Sequence, residues 1–237
     1  MKLAKRVRKI RRRLRRYHIP NRIVSFGGVG SSSLVAHLER GDRDRIWYHY
    51  RDKHCLHPDL LPEVRRRRNV RACFLFGDPY AAVLSVFRRG LHRKHEKSMS
   101  RTMRGYRVAL KHNTTLESYL ADGVDRFFLE EHLDNWLGYR GTNVQIIGVK
   151  YEALADHIHD VLRFLRCHRP FHVRPRTTNL DAQPRAVRQG LDELYGELRE
   201  RIDGLPSFIQ VTAGAIQVTT DAVHVTPDAI QAPAAAG

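Results

Sequence analysis

The stretch Ser25-Phe-Gly-Gly-Val-Gly-Ser-Ser-Ser33 lies between an apolar run, Arg22-Ile-Val-Ser25, and a second one, Leu34-Val-Ala-His-Leu38. The order reads as strand, loop and helix. A turn of this kind presents backbone N–H groups at a helix N-terminus, where unsatisfied donors and the helix dipole favour an anion. Gly27, Gly28 and Gly30 let the backbone approach such a ligand closely, and Ser31, Ser32 and Ser33 add hydroxyl donors. The simpler reading of the same residues is a glycine-rich turn that caps a helix. A nucleotide-hydrolysing loop of the form G-x-x-x-x-G-K-[ST] would carry lysine where this chain has Ser31, which disfavours an ATP- or GTP-driven engine.

Outward from the turn, Ile46-Trp-Tyr-His-Tyr50 and Val70-Arg-Ala-Cys-Phe-Leu-Phe76 read as further strands, and Tyr80 to Arg89 as a helix. Leu91 to Thr115 is rich in Arg, Lys and His and weak in periodicity, which suggests a mobile or substrate-facing insertion. Leu116 to Tyr139 has helical spacing, Asn143 to Val149 is strand-like, and Ala153 to Leu165 and Leu191 to Ile202 are helical. This alternation predicts an α/β domain over residues 21–206, with a mainly parallel sheet flanked by helices. Residues 207–237 form a low-complexity tail, or an added hairpin through the alternating Ile209, Val211 and Ile216, Val218.

The chain carries a formal charge of +17 over 237 residues, which predicts attraction to phosphate, sulfate, acidic glycans, nucleic acid or anionic lipid. Ten of its 42 Lys and Arg residues fall within the first 20 positions. There, Leu3, Val7, Ile10, Leu14 and Tyr17 make one helical stripe that ends at Pro20. A basic amphipathic helix over residues 1–20 suits peripheral docking on an anionic membrane surface, and less readily nucleic acid. It also fits a helix packed on its own domain. Cys55, Cys73 and Cys167 are odd in number and widely spaced, which suits a reducing compartment. With no apolar secretory segment at the N-terminus and no run near ~18 apolar residues, the expectation is a cytoplasmic protein.

From Ser25 to about Pro206 the chain resembles the sulfotransferases that use 3′-phosphoadenosine 5′-phosphosulfate (PAPS), in particular their cytosolic branch. The 5′-phosphosulfate loop of that family, Pro-Lys-Ser-Gly-Thr-Thr, is similar to Gly27-Gly-Val-Gly-Ser-Ser32. Its Lys-Thr-His-Leu-Pro segment is similar to Asp52-Lys-His-Cys-Leu56, followed by Pro58-Asp-Leu-Leu-Pro62. Its 3′-phosphate segment resembles Gly77-Asp-Pro-Tyr-Ala-Ala-Val-Leu-Ser85, with Arg88 and Arg89 behind it. Its Tyr-Glu-Asp-Leu strand end resembles Tyr151-Glu-Ala-Leu154.

The resemblance implies a three-layer P-loop-like fold and sulfuryl transfer from PAPS to a hydroxyl or amine acceptor, one that the basic insertion suggests is acidic or large. It implies His54 as general base, residues Gly27 to Ser33 (with Val29 among them) around the 5′-phosphosulfate, and Ser85 and Arg88 at the 3′-phosphate. Two departures stand out: the family's loop lysine is matched by Gly28, and the arginine that opens its 3′-phosphate segment by Gly77. Losing cations where charge develops costs several kcal/mol of transition-state stabilisation unless others replace them. Lys53, Arg88, Arg89 or the basic insertion are the candidates, with Lys53 adjoining His54 as a second catalytic candidate. The alternative is a non-catalytic member of the same fold that docks on membrane or nucleic acid through its basic N-terminus. His54, Cys55 and His57 cluster, but without an apparent fourth ligand no metal is expected.

Overall fold

The computed structural model describes residues 21–41, 53–66, 69–103, 105–173, 178–212 and 215–218. The expected N-terminal helix, the strand at 46–50 and the end of the chain after 218 lie outside these residues. The described chain is α/β, with a five-stranded sheet in the order β1 (Asn21–Ser25), β2 (Val70–Phe76), β3 (Val144–Lys150), β4 (Phe208–Thr212) and β5 (Ala215–Val218). The first three strands run parallel and the last two pair antiparallel. Strands β1 and β2 are buried along nearly their whole length because parallel strands are covered on both faces.

The hairpin of β4 and β5 aligns Ile209 with Val218 and Val211 with Ile216, so the alternation visible in the sequence sets the register. Since β4 pairs with β3, the sheet continues past the expected boundary at 206.

Helix α1 (Ser31–Gly41) follows β1, and α2 (Pro79–Arg88) follows β2 with Asp78 capping it by accepting from the Tyr80 amide at 2.8 Å. The stretch expected as a mobile or substrate-facing insertion contains a helix, α3 (His92–Met99). Its buried side is made by His92, His95, Glu96 and Met99, and the Glu96 carboxylate accepts from Tyr106 Oη and from the Ala109 and Leu110 amides at 2.8–2.9 Å. Fixing the following loop by a buried carboxylate is what gives the stretch structure.

The single helix expected over 116–139 is two, α4 (Leu116–Ala121) and α5 (Leu129–Leu137). Between them Gly123 takes φ +64, and Asp125 accepts from the Phe127 and Leu129 amides, starting a new helix. After β3 come α6 (Ile158–Phe164) and the long α7 (Arg185–Asp203), against which α2 and α4 pack. No helix of the described residues is long and apolar enough to cross a membrane.

The core centres on aromatic rings that join the sheet to α5. Phe74 stacks on Trp136 at 5.5 Å between centroids, and Phe26 meets Phe74 edge-on at 5.8 Å. Trp136 is fully buried, so its indole N–H needs an acceptor, and finds the Cys55 carbonyl at 2.7 Å. His132 Nε2 donates to the same carbonyl at 2.9 Å. These two bonds anchor the segment that carries Lys53 and His54. The Arg22 guanidinium, buried in β1, pairs with the buried Glu63 carboxylate after that segment.

Candidate functional site

The site is built on the end of β1. The Ser25 amide donates to the Lys53 carbonyl at 2.8 Å and the Phe26 amide to the Leu75 carbonyl at 3.1 Å, so the glycine turn begins fixed on both sides. Gly27, Gly28 and Gly30 take φ of +93°, +77° and +67°, a backbone that L side chains rarely adopt. Each also meets a neighbour closely. A Cβ would lie 2.4 Å from His95 at Gly27, 2.6 Å from the Ala82 carbonyl oxygen at Gly28, and 2.4 Å from the Tyr151 ring at Gly30. The turn is therefore packed from three sides, by α3, α2 and the end of β3.

The Ser33 amide turns back to the Gly30 carbonyl at 3.0 Å, while no protein group accepts from the amides of residues 28 to 32 among the described residues. These N–H groups lie in the turn and at the start of α1, a position that suits an oxyanion. Val29 contributes only its amide, since its side chain is buried in the core. Ser31 is buried and receives the Ser25 hydroxyl at 2.9 Å, whereas Ser32 and Ser33 are exposed.

Position 28 cannot hold the lysine of the resembled loop. Both its left-handed backbone and the Ala82 main chain exclude a side chain there. The cation comes from the neighbouring segment: Lys53 Nζ donates to Ser32 Oγ at 2.7 Å. Burial, with the Arg89 guanidinium nearby, lowers the Lys53 pKa to about 8. At position 77 a Cβ would lie 2.7 Å from the end of the Glu152 side chain, whose carboxylate accepts from the Asp78 amide at 3.1 Å, so a larger residue there would have to displace that carboxylate. Arg89, held through its Nε on the Ser85 carbonyl at 2.9 Å, brings a second positive charge toward Lys53. We expect Gly28→Ala to destabilise the fold by about 2 kcal/mol through backbone strain and overpacking. A denaturant melt that matches the parent's would disprove that packing.

His54 is buried, and its Nδ1 lies 2.8 Å from the Ser25 carbonyl. A carbonyl only accepts, so Nδ1 carries the proton and Nε2 presents a lone pair. His95 stands edge-on to this ring at 4.5 Å, and its own Nε2 is buried without a protein partner. Burial depresses the pKa of both imidazoles; His95 and Lys53 add to it at His54, which falls well below the usual histidine range, and Lys53 and Arg89 add to it at His95, which falls to about 3. His132 is lowered to about 3, first by burial and then by His95. The cluster is neutral at physiological pH.

Ser85 and Arg88 lie further along α2, where they line a cavity of about 560 Å³ together with His92, Thr115, Asn179 and Gln183. The helix that backs Gly28 through Ala82 thus also carries both expected 3′-phosphate residues. The cysteine and histidines after Lys53 diverge. Cys55 Sγ donates to the His57 carbonyl and His57 caps a short turn through the Asp59 amide, and no group of three metal-ligating side chains converges among the described residues.

His95 was hidden in sequence by the basic residues around it, although His92, His95, Glu96 and Met99 have helical spacing. No protein-family model, curated protein or solved structure matches the chain. The fold and this geometry define an α/β protein with a positively charged, glycine-lined turn at the end of its first described strand.

Proposed function

We propose that the chain is a divergent sulfotransferase with a three-layer P-loop-like domain, which binds PAPS at the Gly27–Ser33 turn and transfers its sulfuryl group to a hydroxyl or amine acceptor. The observation that carries this reading is the Lys53 ammonium on Ser32 Oγ, beside the left-handed glycines. It supplies from a neighbouring segment the positive charge that Gly28 cannot.

In the reaction the acceptor oxygen or nitrogen forms a bond to sulfur while the bond from sulfur to the bridging 5′-phosphate oxygen breaks. The electron pair leaves with adenosine 3′,5′-bisphosphate, and Lys53, Arg89 and the turn amides stabilise the charge it gains. The acceptor's proton passes to Nε2 of His54, whose Nδ1 hydrogen bond to Ser25 fixes the tautomer. Ser85 and Arg88 hold the 3′-phosphate.

Calorimetric titration with adenosine 3′,5′-bisphosphate tests the cofactor, and absence of heat at millimolar ligand would sink the reading. Arg88→Ala should weaken bisphosphate about tenfold by removing a charged contact. It should leave adenosine 5′-monophosphate, which lacks the 3′-phosphate, unchanged.

One observation favours binding without transfer. A protonated His54 would sit buried beside Lys53, which makes it a weak proton acceptor. Radiolabelled transfer from PAPS to a panel of hydroxyl and amine acceptors separates the two: bisphosphate binding with no transfer to any of them supports the binding protein.

A further inference from the structure

Residues 88–112 contain nine Lys and Arg against one acid, Glu96. That acid is fully buried and its oxygens are occupied by three neutral donors, none of them a cation at the surface. Helix α3 separates the two roles by face. His92, His95, Glu96 and Met99 point inward, while Arg93, Lys94 and Lys97 are exposed on the other side.

The loop after it is fixed against the same helix. His92 Nε2 donates to the Lys111 carbonyl at 2.8 Å and Arg93 donates to His112 Nε2 at 2.9 Å, which gathers the exposed Lys111 beside the α3 cations. The inner face touches the candidate site directly, because His95 fills the space over Gly27. A ligand lying along the outer face of α3 is therefore one helix thickness from the glycine turn.

We infer that this face docks an acidic polysaccharide, an acceptor long enough to run past the helix to the turn. The choice of occupant rests on the transferase reading above, which needs a hydroxyl acceptor, and on what the surface lacks. Single-stranded nucleic acid binds by stacking bases on exposed aromatic rings. Among the described residues the exposed large apolar side chain is Val124, and Tyr106 is tied to Glu96 and packed edge-on against Phe128. A membrane-surface helix needs an apolar face toward lipid, whereas the outer face of α3 is cationic and its other face is spent in the core. Guanidinium and ammonium groups spread over a helix of about 12 Å suit carboxylate or sulfate groups repeated along a sugar chain.

The test uses the full chain and fluorescence anisotropy with four labelled probes: a sulfated hexasaccharide, a 20-nucleotide single-stranded RNA, a 20-base-pair duplex and vesicles of 30% phosphatidylserine. The expected result is preference for the saccharide, with affinity that falls as salt rises. The triple variant Arg93→Ser, Lys97→Ser, Lys111→Ser should weaken saccharide binding about tenfold. It should leave bisphosphate affinity and the circular dichroism spectrum unchanged. A parallel variant, Arg11→Ser, Arg12→Ser, Arg13→Ser, reports the share carried by the N-terminal cations and should cost less. Unaltered saccharide affinity in the α3 variant, or tighter binding of RNA, duplex or vesicles, overturns the inference. Saccharide binding that depends on α3 in a protein that ignores bisphosphate would uphold the docking surface and remove the transferase reading instead.

Discussion

Replacing Lys53 by methionine is expected to weaken adenosine 3′,5′-bisphosphate about 10- to 100-fold while the fold holds or gains stability. The ammonium is the cation on the turn, donating to Ser32 Oγ, and a hydrogen bond between charged groups contributes about 1.5–3 kcal/mol. Methionine keeps most of the stem's volume and removes a charge that burial disfavours. The backbone contact is retained too, because the Lys53 carbonyl, not its side chain, receives the Ser25 amide.

The parent protein carries its own control in pH. With the Lys53 pKa near 8, the side chain loses its charge as pH rises through that value, and affinity for the anion should fall over the same interval. Lys53→Met should be flat there. Calorimetry at pH 7, 8 and 9 on both proteins decides it, and equal affinities would place the anion elsewhere.

The second large effect is loss of stability in mild acid. His95 and His132 are buried neutral with pKa values of about 3, and His54 is depressed in the same direction. Below about pH 6.5 an unfolded imidazole takes up a proton that the folded one refuses, so the unfolded chain binds more protons and stability falls with pH. At pH 5 the cost is about 2 kcal/mol for each of His95 and His132, on a domain whose whole stability is of order 5–15 kcal/mol.

Lys53 and Arg89 face the cluster and add to the penalty for a further positive charge. Urea melts at pH 7.5 and 5.0 should therefore show a marked fall in midpoint at similar slope. His132→Asn should reduce that difference. A midpoint that is independent of pH would show that these rings take up protons without unfolding.

Much of the fold was legible because it is written in short-range pattern. Residues 70–76 are apolar apart from Arg71 and bounded by polar segments, and they form β2. The alternation around Ile209 and Val218 gave the hairpin its register. What the pattern did not reveal was the helix within 91–115, where charge obscured the inward stripe of α3, and the break within 116–139, where Gly123 and the cap at Asp125 divide one periodic stretch into two helices.

At the site, the three glycines announced a tight turn, since only residues without a Cβ take those dihedrals against close neighbours. Lys53 and His54 were singled out by motif likeness alone. Their placement depends on the Cys55 carbonyl being held by Trp136 and His132 from a helix some eighty residues away in sequence.

By itself, then, the sequence determined the strand, glycine turn and helix from 22 to 38, because local dihedral limits and apolar periodicity act over a few residues. Only the tertiary structure decided which cation serves that turn. Gly28 is closed by its left-handed backbone and the Ala82 main chain, and Lys53 and Arg89 bring their charge from other segments. Coulomb attraction and steric exclusion depend on distance in space, which the order of residues along the chain does not specify.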